Sequence, residues 1–578
     1  MKETVENTLK EKDNVENTLK EKDIVEITSI NSYKGGKLNV TIRSKVTRMS
    51  LTGKMYEFEI ETSDRGTLRV LCRINSVDMA NPIHENRGFQ QAIADQGKLQ
   101  YYSGDCDVVT ATVEIISCIT ADKLIPTSIA CPPQSGTPLT AIEGNSIIDF
   151  QPEKQYKGTI GNLIDAPEMP MSITVRHFGA YDKGGYGEAK HSVVFGQNGS
   201  GKTVIALAKI ACELVQNPQM GCLIPDTAGD IAKHGSHDRG DFKFSFLELL
   251  DKGGRLAEQI NIEDIRLVSK TFFKQMLTPI IRQKLNTVED NARRLTDKIT
   301  EKLFEKTVDI TKATPDVILN MIVENVATVF STKAKQKEKT EQAQELTQQP
   351  LKREFIKTYN ANVVHFFEGK YALPELVDGF LDKGRVILLN MSKLSEQAQR
   401  SVMYEIFAYV KSKSEKDYKA FSKTRNGLIV LDEGPRWCPQ SGGDEITSTI
   451  IDAYNTTRKL GIGWMIISQR ITAIDKNILA QAHTKFVGRG MGIGADAEYI
   501  STLFGKEGLV MYDSLRLRGG YFWLATGHQV NYGQGSQYMA FDSFGGNATA
   551  KIIKANPHIW KNQEEMSLVV GRDDKTLS

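Results

Sequence analysis

The segment SVVFGQNGSGKTVIALAKIACELV, residues 192–215, decides the fold. An apolar run ends at Phe195, a glycine-rich octapeptide follows, and an apolar helical pattern begins at Val204. The octapeptide Gly196, Gln197, Asn198, Gly199, Ser200, Gly201, Lys202, Thr203 fits GxxxxGK[ST] between a strand and a helix, the setting its chemistry needs. Glycines let successive backbone amides curl around phosphate oxygens, and the helix N-terminus adds partial positive charge. Residues Gly196 to Val204 are therefore the expected nucleotide-binding loop, with ATP and Mg²⁺ as cofactors. Lys202 is expected to reach the β and γ phosphates, and the Thr203 hydroxyl to hold the metal. The bland alternative is a glycine turn that happens to carry Lys-Thr; the correct flanks on both sides argue against it.

A phosphate cradle needs an acidic residue at the end of a neighbouring buried strand. GLIVLDE, residues 427–433, supplies it. Asp432 is expected to support the metal shell and Glu433 to orient and deprotonate the attacking water. An Asp-Glu turn after a strand is common alone; its pairing with the loop gives it meaning. A glutamate in this place points to hydrolysis. IISQR, residues 466–470, ends a further apolar strand and sets Gln469 where a γ-phosphate or hydrolytic water is sensed. Arg458 lies just before that strand in NTTRKLG; read alone it is a surface cation, and in ring ATPases such an arginine reaches a phosphate.

Outward from these motifs, the rhythm after Ala189 is that of an α/β core. SVVFG, GCLIP, RVILLN, GLIVLD, IGWMIIS and TKFVG are near-continuous apolar runs alternating with helical stretches, the pattern of a parallel sheet covered on both faces. The core is expected over 153–252 and 384–545, with a Lys/Glu-rich helical insertion at 253–383. Residues 25–152 are expected to form a small all-β, barrel-like domain. KLNVTIRS, MYEFEIET, GTLRVLCRI and CDVVTATVEIISC are short, β-branched and partly alternating. A ten-residue duplication, VENTLKEKDN at 5–14 and VENTLKEKDI at 15–24, forms a charged leader over 1–24, and 546–578 is expected as a C-terminal tail.

With 578 residues, 40% apolar and 25% charged, the chain has the composition of a globular protein of several domains. The 73 basic and 71 acidic residues nearly cancel, so contact with nucleic acid must come from local patches. No apolar run approaches the ~18 residues of a membrane span. Seven cysteines without CxxC spacing suggest reduced thiols and a cytoplasmic setting. No Ser-His-Asp or Cys-His arrangement and no further carboxylate cluster marks a nuclease. Trp437 and Trp464 read as packing residues, and His234 with His237 as a polar loop rather than a metal pair.

In combination, these motifs resemble the HerA/FtsK ATPase superfamily. Asp226-Thr-Ala-Gly-Asp230 is similar to its Asp-x-x-Gly-acidic motif. Gly434-Pro-Arg-Trp437 after the Asp-Glu pair, RKLGIGWMIISQR at 458–470 and HTKFVGR at 483–489 resemble the HerA branch. The resemblance implies a RecA-like, ASCE-type P-loop core with a helical insertion, preceded by a small barrel. It implies a homo-hexameric double-stranded DNA translocase or helicase with ATP at subunit interfaces, in a setting with no membrane. It also implies a separate effector docked on the β domain: a NurA-type nuclease in repair by end resection, or a nuclease or sirtuin-like NAD-hydrolase in bacterial antiphage defence. Defence is the favoured setting; a structural hub with ATP as a regulatory ligand is the rival of another class. Two departures stand out. Gly434 takes the place of alanine, and Lys190-His191 the place of Arg-His, where some members carry a trans arginine. That shifts the trans role to Arg458, with Arg489 second. The loop from Lys233 to Arg239 is a candidate DNA-facing segment of the pore.

Overall fold

Apolar residues at every second position close the N-terminal strands into a barrel. The computed structural model describes residues 25–34, 37–42, 51–96, 106–123, 127, 131, 133–142, 144–150, 153–164, 166–229, 231, 240–305, 308–518, 521–530 and 538–560. The chain divides into two units. The first comprises Met1–Val175, Gly196–Gly201 and Thr484–His558; the second comprises Arg176–Phe195, Lys202–His483 and Ile559–Ser578.

In the first unit, β1 (Val25–Lys34), β2 (Lys37–Ile42), β3 (Met55–Thr62), β4 (Gly66–Ala80), β5 (Val108–Thr120) and β6 (Pro138–Ala141) form a closed barrel in the order β1-β2-β5-β4-β3-β6. Leu38, Val40 and Ile42 of β2 and Tyr56, Phe58 and Ile60 of β3 point into its core. The long strands β4 and β5 shift register at Leu71/Cys72 and Ile74/Ser76, and such bulges supply the bending that closure requires. Closure leaves no exposed edge. β7 (Lys157–Leu163) and β8 (Pro170–Thr174) follow as an antiparallel pair.

The second unit holds the α/β core. β9 (Ser192–Phe195) precedes the glycine loop and α1 (Lys202–Gln216) follows it. β10 (Gly221–Asp226), β11 (Ala257–Asn261), β12 (Ile265–Arg266), β13 (Tyr371–Ala372), β14 (Val386–Asn390), β15 (Gly427–Leu431) and β16 (Ile462–Ser468) follow in the chain. Six of these are parallel, in the order β11-β14-β10-β15-β16-β9; β12 and β13 pair separately. β11 lies inside the stretch expected to be wholly helical. Only Ile260 of AEQIN is buried, so an edge strand of this kind has almost no apolar pattern to read.

Between β12 and β13 run α2 (Lys270–Lys284), α3 (Glu289–Leu303), α4 (Pro315–Asn325), α5 (Lys333–Glu345) and α6 (Leu351–Tyr359). Their starts are written in the sequence: Ser269, Thr314 and Thr332 each accept a hydrogen bond from a backbone N–H of the first turn, and Pro315 occupies the position where no N–H is needed. α7 (Glu396–Phe421), capped by Ser395, and α8 (Glu445–Thr457), capped by Asp444, pack against each other.

The remainder of the first unit contains β17 (Thr484–Gly488), β18 (Phe522–Gly527) and β19 (Tyr538–Ser543), antiparallel in the order β17-β18-β19-β7-β8. The TKFVG strand is thus antiparallel to its partner β18, where the apolar run suggested a parallel one. An apolar run reports burial on both faces and carries no strand direction. Residues beyond 545 are also more than a tail. Helix α9 (Ala548–Ala555) is capped by Asn547, and the Asn556 amide bonds the N–H and C=O of Thr159 on β7 at 2.5 and 2.8 Å. Leader residues 1–24 lie outside the described residues.

Among the described residues of the barrel, one cation is fully buried. Arg73 is 3% exposed and donates to Asn75 Oδ1 (3.0 Å), Glu114 Oε2 (2.8 Å) and the Tyr538 carbonyl (2.8 Å). Its guanidinium also lies 4.0 Å from the centroid of the Tyr538 ring.

Candidate active site

Strand order creates the site. β15, which ends at the Asp-Glu pair, and β9, which leads into the glycine loop, are separated by β16. The inserted strand ends beside Gln469, so the ends of three neighbouring strands bring the glycine loop, the Asp-Glu pair and Gln469 to one edge of the sheet.

The loop itself has the backbone its glycines permit. Gly199 and Gly201 have φ of 78° and 86°, left-handed values that strain any residue with a β-carbon. Ser200 N–H bonds the Gln197 carbonyl at 3.1 Å, and Gln197 N–H bonds the Arg489 carbonyl at 2.8 Å. Arg489 therefore stands beside the loop through its backbone, with its side chain exposed. α1 begins at Lys202, and its residues from Ile205 to Val215 are buried.

Asp432, just beyond β15, accepts from Glu433 N–H at 2.7 Å, and its own carbonyl accepts from Trp437 Nε1 at 2.7 Å. Burial pushes its carboxyl above the ordinary value; the Glu433 N–H and Lys202 oppose this, while the charges of Glu433 and Asp226 reinforce it. Lys202 is displaced in the opposite sense. Burial lowers its pKa, with Asp432 as the opposing charge. Both groups are thus held in an environment that disfavours their charges, as expected of side chains arranged for a charged ligand. Asp226, 5% exposed at the end of β10, accepts from Gly229 N–H at 2.8 Å. It is a second carboxylate near Asp432, and its place in the Asp-x-x-Gly motif was the signal that could have added it to the site.

Among the described residues no group of three or more His, Cys, Asp or Glu could hold a metal ion. Mg²⁺ bound with a nucleotide takes one or two carboxylates and completes its shell with phosphates and water. The under-compensated carboxyl of Asp432, with Asp226 near it, fits that donor set.

Gln469 follows β16 and is exposed. The Ser468 hydroxyl donates to the Arg470 carbonyl (2.9 Å) and accepts from Arg470 N–H (3.2 Å), closing a tight turn around it. Glu433 adopts the left-handed region, φ 54° and ψ 52°, and its Oε2 lies 3.0 Å from Arg436 Nη2. Gly434 has no room for a β-carbon: one placed there would come within 2.8 Å of Ile466 Cγ2 and of Ile474 Cδ1. Trp437 and Trp464 are fully buried, in keeping with packing roles.

Arg458 has partners within the chain. Nη1 lies 3.5 Å from Glu188 Oε1 and 3.0 Å from His483 Nε2. His483 Nδ1 already accepts from His191 N–H at 3.2 Å. The His483 ring thus lies between two donors, the His191 N–H and Arg458, and Arg458 has both Glu188 and His483 beside it. Lys190 bonds the same Glu188 oxygen at 2.8 Å. His191 is buried; its Nε2 donates to the Tyr454 carbonyl (3.0 Å) and its Nδ1 accepts from Trp464 N–H (3.2 Å), which fixes a neutral tautomer. Lys233, Arg239, His234 and His237 lie outside the described residues. Among those described, no helix is long and apolar enough to cross a membrane.

A family model described as zonular occludens toxin (Zot) matches residues 369–513, which run from the end of the helical insertion past Asp432, Glu433 and Gln469. No curated protein matches the chain. Among solved structures, the bacterial conjugative coupling protein TrwB is 13% identical with a TM-score of 0.40, over 71% of this chain and 94% of that one. VirB4 of Thermoanaerobacter pseudethanolicus is 15% identical with a TM-score of 0.35, over 68% and 97%. The genome packaging NTPase B204 of Sulfolobus turreted icosahedral virus 2 is 10% identical with a TM-score of 0.28, over 61% and 98%. At these scores, assignment of the core rests on its own loop and strand order.

Proposed function

We infer that the chain is an ATP-hydrolysing motor of the HerA/FtsK type that moves double-stranded DNA. The observation that carries hydrolysis is the pairing of a half-buried Asp432 with a more exposed Glu433 one residue later, at the end of a strand separated by one strand from that of the glycine loop. In this reading the amides of Gly196–Gly201 and Lys202 grip the phosphates, and Thr203 and Asp432 hold Mg²⁺, which neutralises phosphate charge when bound. Glu433 takes a proton from the attacking water, and Gln469 orients that water or senses the γ-phosphate. Arg458 leaves its contacts with Glu188 and His483 to reach a neighbouring subunit's nucleotide.

The HerA branch, a homo-hexameric ring, DNA in its pore and a separate nuclease or sirtuin-like effector are supported by the motif resemblance. Antiphage defence is the proposed setting on the same ground. The deciding experiment is Glu433→Gln. Turnover is expected to fall by about 10²–10⁴-fold while a fluorescent ATP analogue still binds. A variant that hydrolyses ATP like the wild type removes Glu433 from the mechanism. For the motor itself, ATP-dependent displacement of a triplex-forming strand from duplex DNA is expected. A protein that hydrolyses ATP without displacing the strand is a regulated hub.

A further inference from the structure

Arg436 stands between two carboxylates. Its Nη2 pairs with Glu433 Oε2 at 3.0 Å, and its Nε lies 3.8 Å from Glu396 Oε1 on the first turn of α7. Its Nη1 donates to Gln399 Oε1 at 2.7 Å, one turn further along the same helix. Gln399 is itself fixed, its Nε2 donating to the carbonyls of Met391 (2.9 Å) and Leu394 (3.3 Å). The backbone is held as well: Arg400 Nη1 donates to the Arg436 carbonyl, while its Nη2 bonds Asp444 (2.6 Å) and Thr447 (3.1 Å) on α8. A guanidinium is a planar fork whose separate N–H groups serve several acceptors at once, so it can lean towards either carboxylate without leaving Gln399.

A general base must have its oxygen free to face the proton it abstracts. Glu433 in this structure does not present that oxygen freely. Its oxygen is turned to Arg436, over a backbone held in the left-handed region.

We propose that Arg436 is a positioning residue that restrains Glu433 and releases it for catalysis by shifting onto Glu396. The proposal rests on the hydrolytic reading above. It makes the start of α7 a second control point for the reaction, linked through Arg400 and Asp444 to α8, and neither helix contributes a residue expected to touch the nucleotide.

The test is steady-state ATP turnover of Arg436→Ala, Arg436→Lys and Glu396→Gln beside the wild type and Glu433→Gln, each with its melting temperature and nucleotide Kd. Arg436→Ala is expected to raise kcat by roughly threefold to tenfold with KM little changed, because the restraint acts on the base and not on binding. Arg436→Lys, which keeps the charge but loses the fork, is expected to fall between. Glu396→Gln is expected to lower kcat, since it removes the charge that draws Arg436 away. A general structural role would instead lower kcat, raise KM or depress melting in both Arg436 variants. Unchanged or reduced kcat in a folded Arg436→Ala overturns the proposal; if that variant fails to fold, an unchanged or reduced kcat in Arg436→Lys does so. Should Glu433→Gln be inactive and Arg436→Ala unchanged, only the restraint is lost. A wild type without ATP turnover removes the hydrolytic reading as well.

Discussion

The barrel and the nucleotide core both bury charge, and they treat it in opposite ways. In the barrel, Arg73 has a carboxylate, an amide, a carbonyl and an aromatic face around it. In the core, Lys202 and Asp432 are each pushed towards their neutral forms by burial, although each is the other's opposing charge. Burying a charge is costly unless its partners are complete. Complete partners make Arg73 part of the scaffold. In the core, burial outweighs the attraction of the pair for each group, and a nucleotide and its metal can meet that electrostatic demand.

The sharpest way to break this contrast is to delete the scaffold charge. Arg73→Ala leaves Glu114 without its guanidinium and is expected to cost about 3–5 kcal/mol in denaturant unfolding, with ATP turnover per folded molecule preserved. A loss below about 1 kcal/mol would make Arg73 an ordinary surface-type pair.

Deleting the core charge is expected to act with the opposite sign. Asp432→Asn keeps the shape and removes the disfavoured carboxylate, so the nucleotide-free protein gains about 1 kcal/mol at neutral pH while turnover falls about 10²–10³-fold. The sign follows from the direction of the shift. A carboxyl raised in the folded state destabilises the fold above its folded pKa, and that cost disappears as pH falls through it. The stabilisation by Asn is therefore present at pH 7 and lost in acid. Equal stability of the two proteins at pH 7 would remove the contrast.

His191 sharpens the comparison from a third position, as a buried group fully satisfied in its neutral form. Burial lowers its pKa from 6.5 to about 3, with His483 adding to the effect. Its contribution to stability is present above the unfolded value of 6.5 and is lost as pH falls towards 3. Melting followed from pH 7.5 to 5.5 is expected to show a loss of about 1 kcal/mol that is absent in His191→Gln. The same slope in both proteins would assign it to other groups.

How much of this was legible depended on the distance over which each signal acts. The glycine loop, the Asp-Glu strand and the Gln469 strand are contiguous patterns, and each strand forms where its apolar run lies. β2 to β5 were legible from alternation; the four-residue β6, with one buried side chain, was not. The polar edge strand β11 left almost no pattern, and strand direction at β17 left none. The Arg436–Glu433 pair has the i, i+3 spacing that brings side chains together on a helical turn, and that signal was available. Gln399 and Glu396 were not, because they meet Arg436 only once α7 has packed beside the end of β15. Arg73 and Tyr538 are likewise joined only by the fold.

Gly434 has a consequence for how this chain can change over generations. Its missing β-carbon is the space occupied by the ends of Ile466 and Ile474. The three positions therefore share one volume, and an alanine after the Asp-Glu pair meets both isoleucines at once, so relief at one leaves the contact at the other. Sequences descending from this one are free to exchange these residues as a set and poorly free to exchange them singly. Valine at 474 removes the Cδ1 that stands in the way, whereas valine at 466 keeps its Cγ2, so an alanine at 434 also requires Ile466 itself to shift.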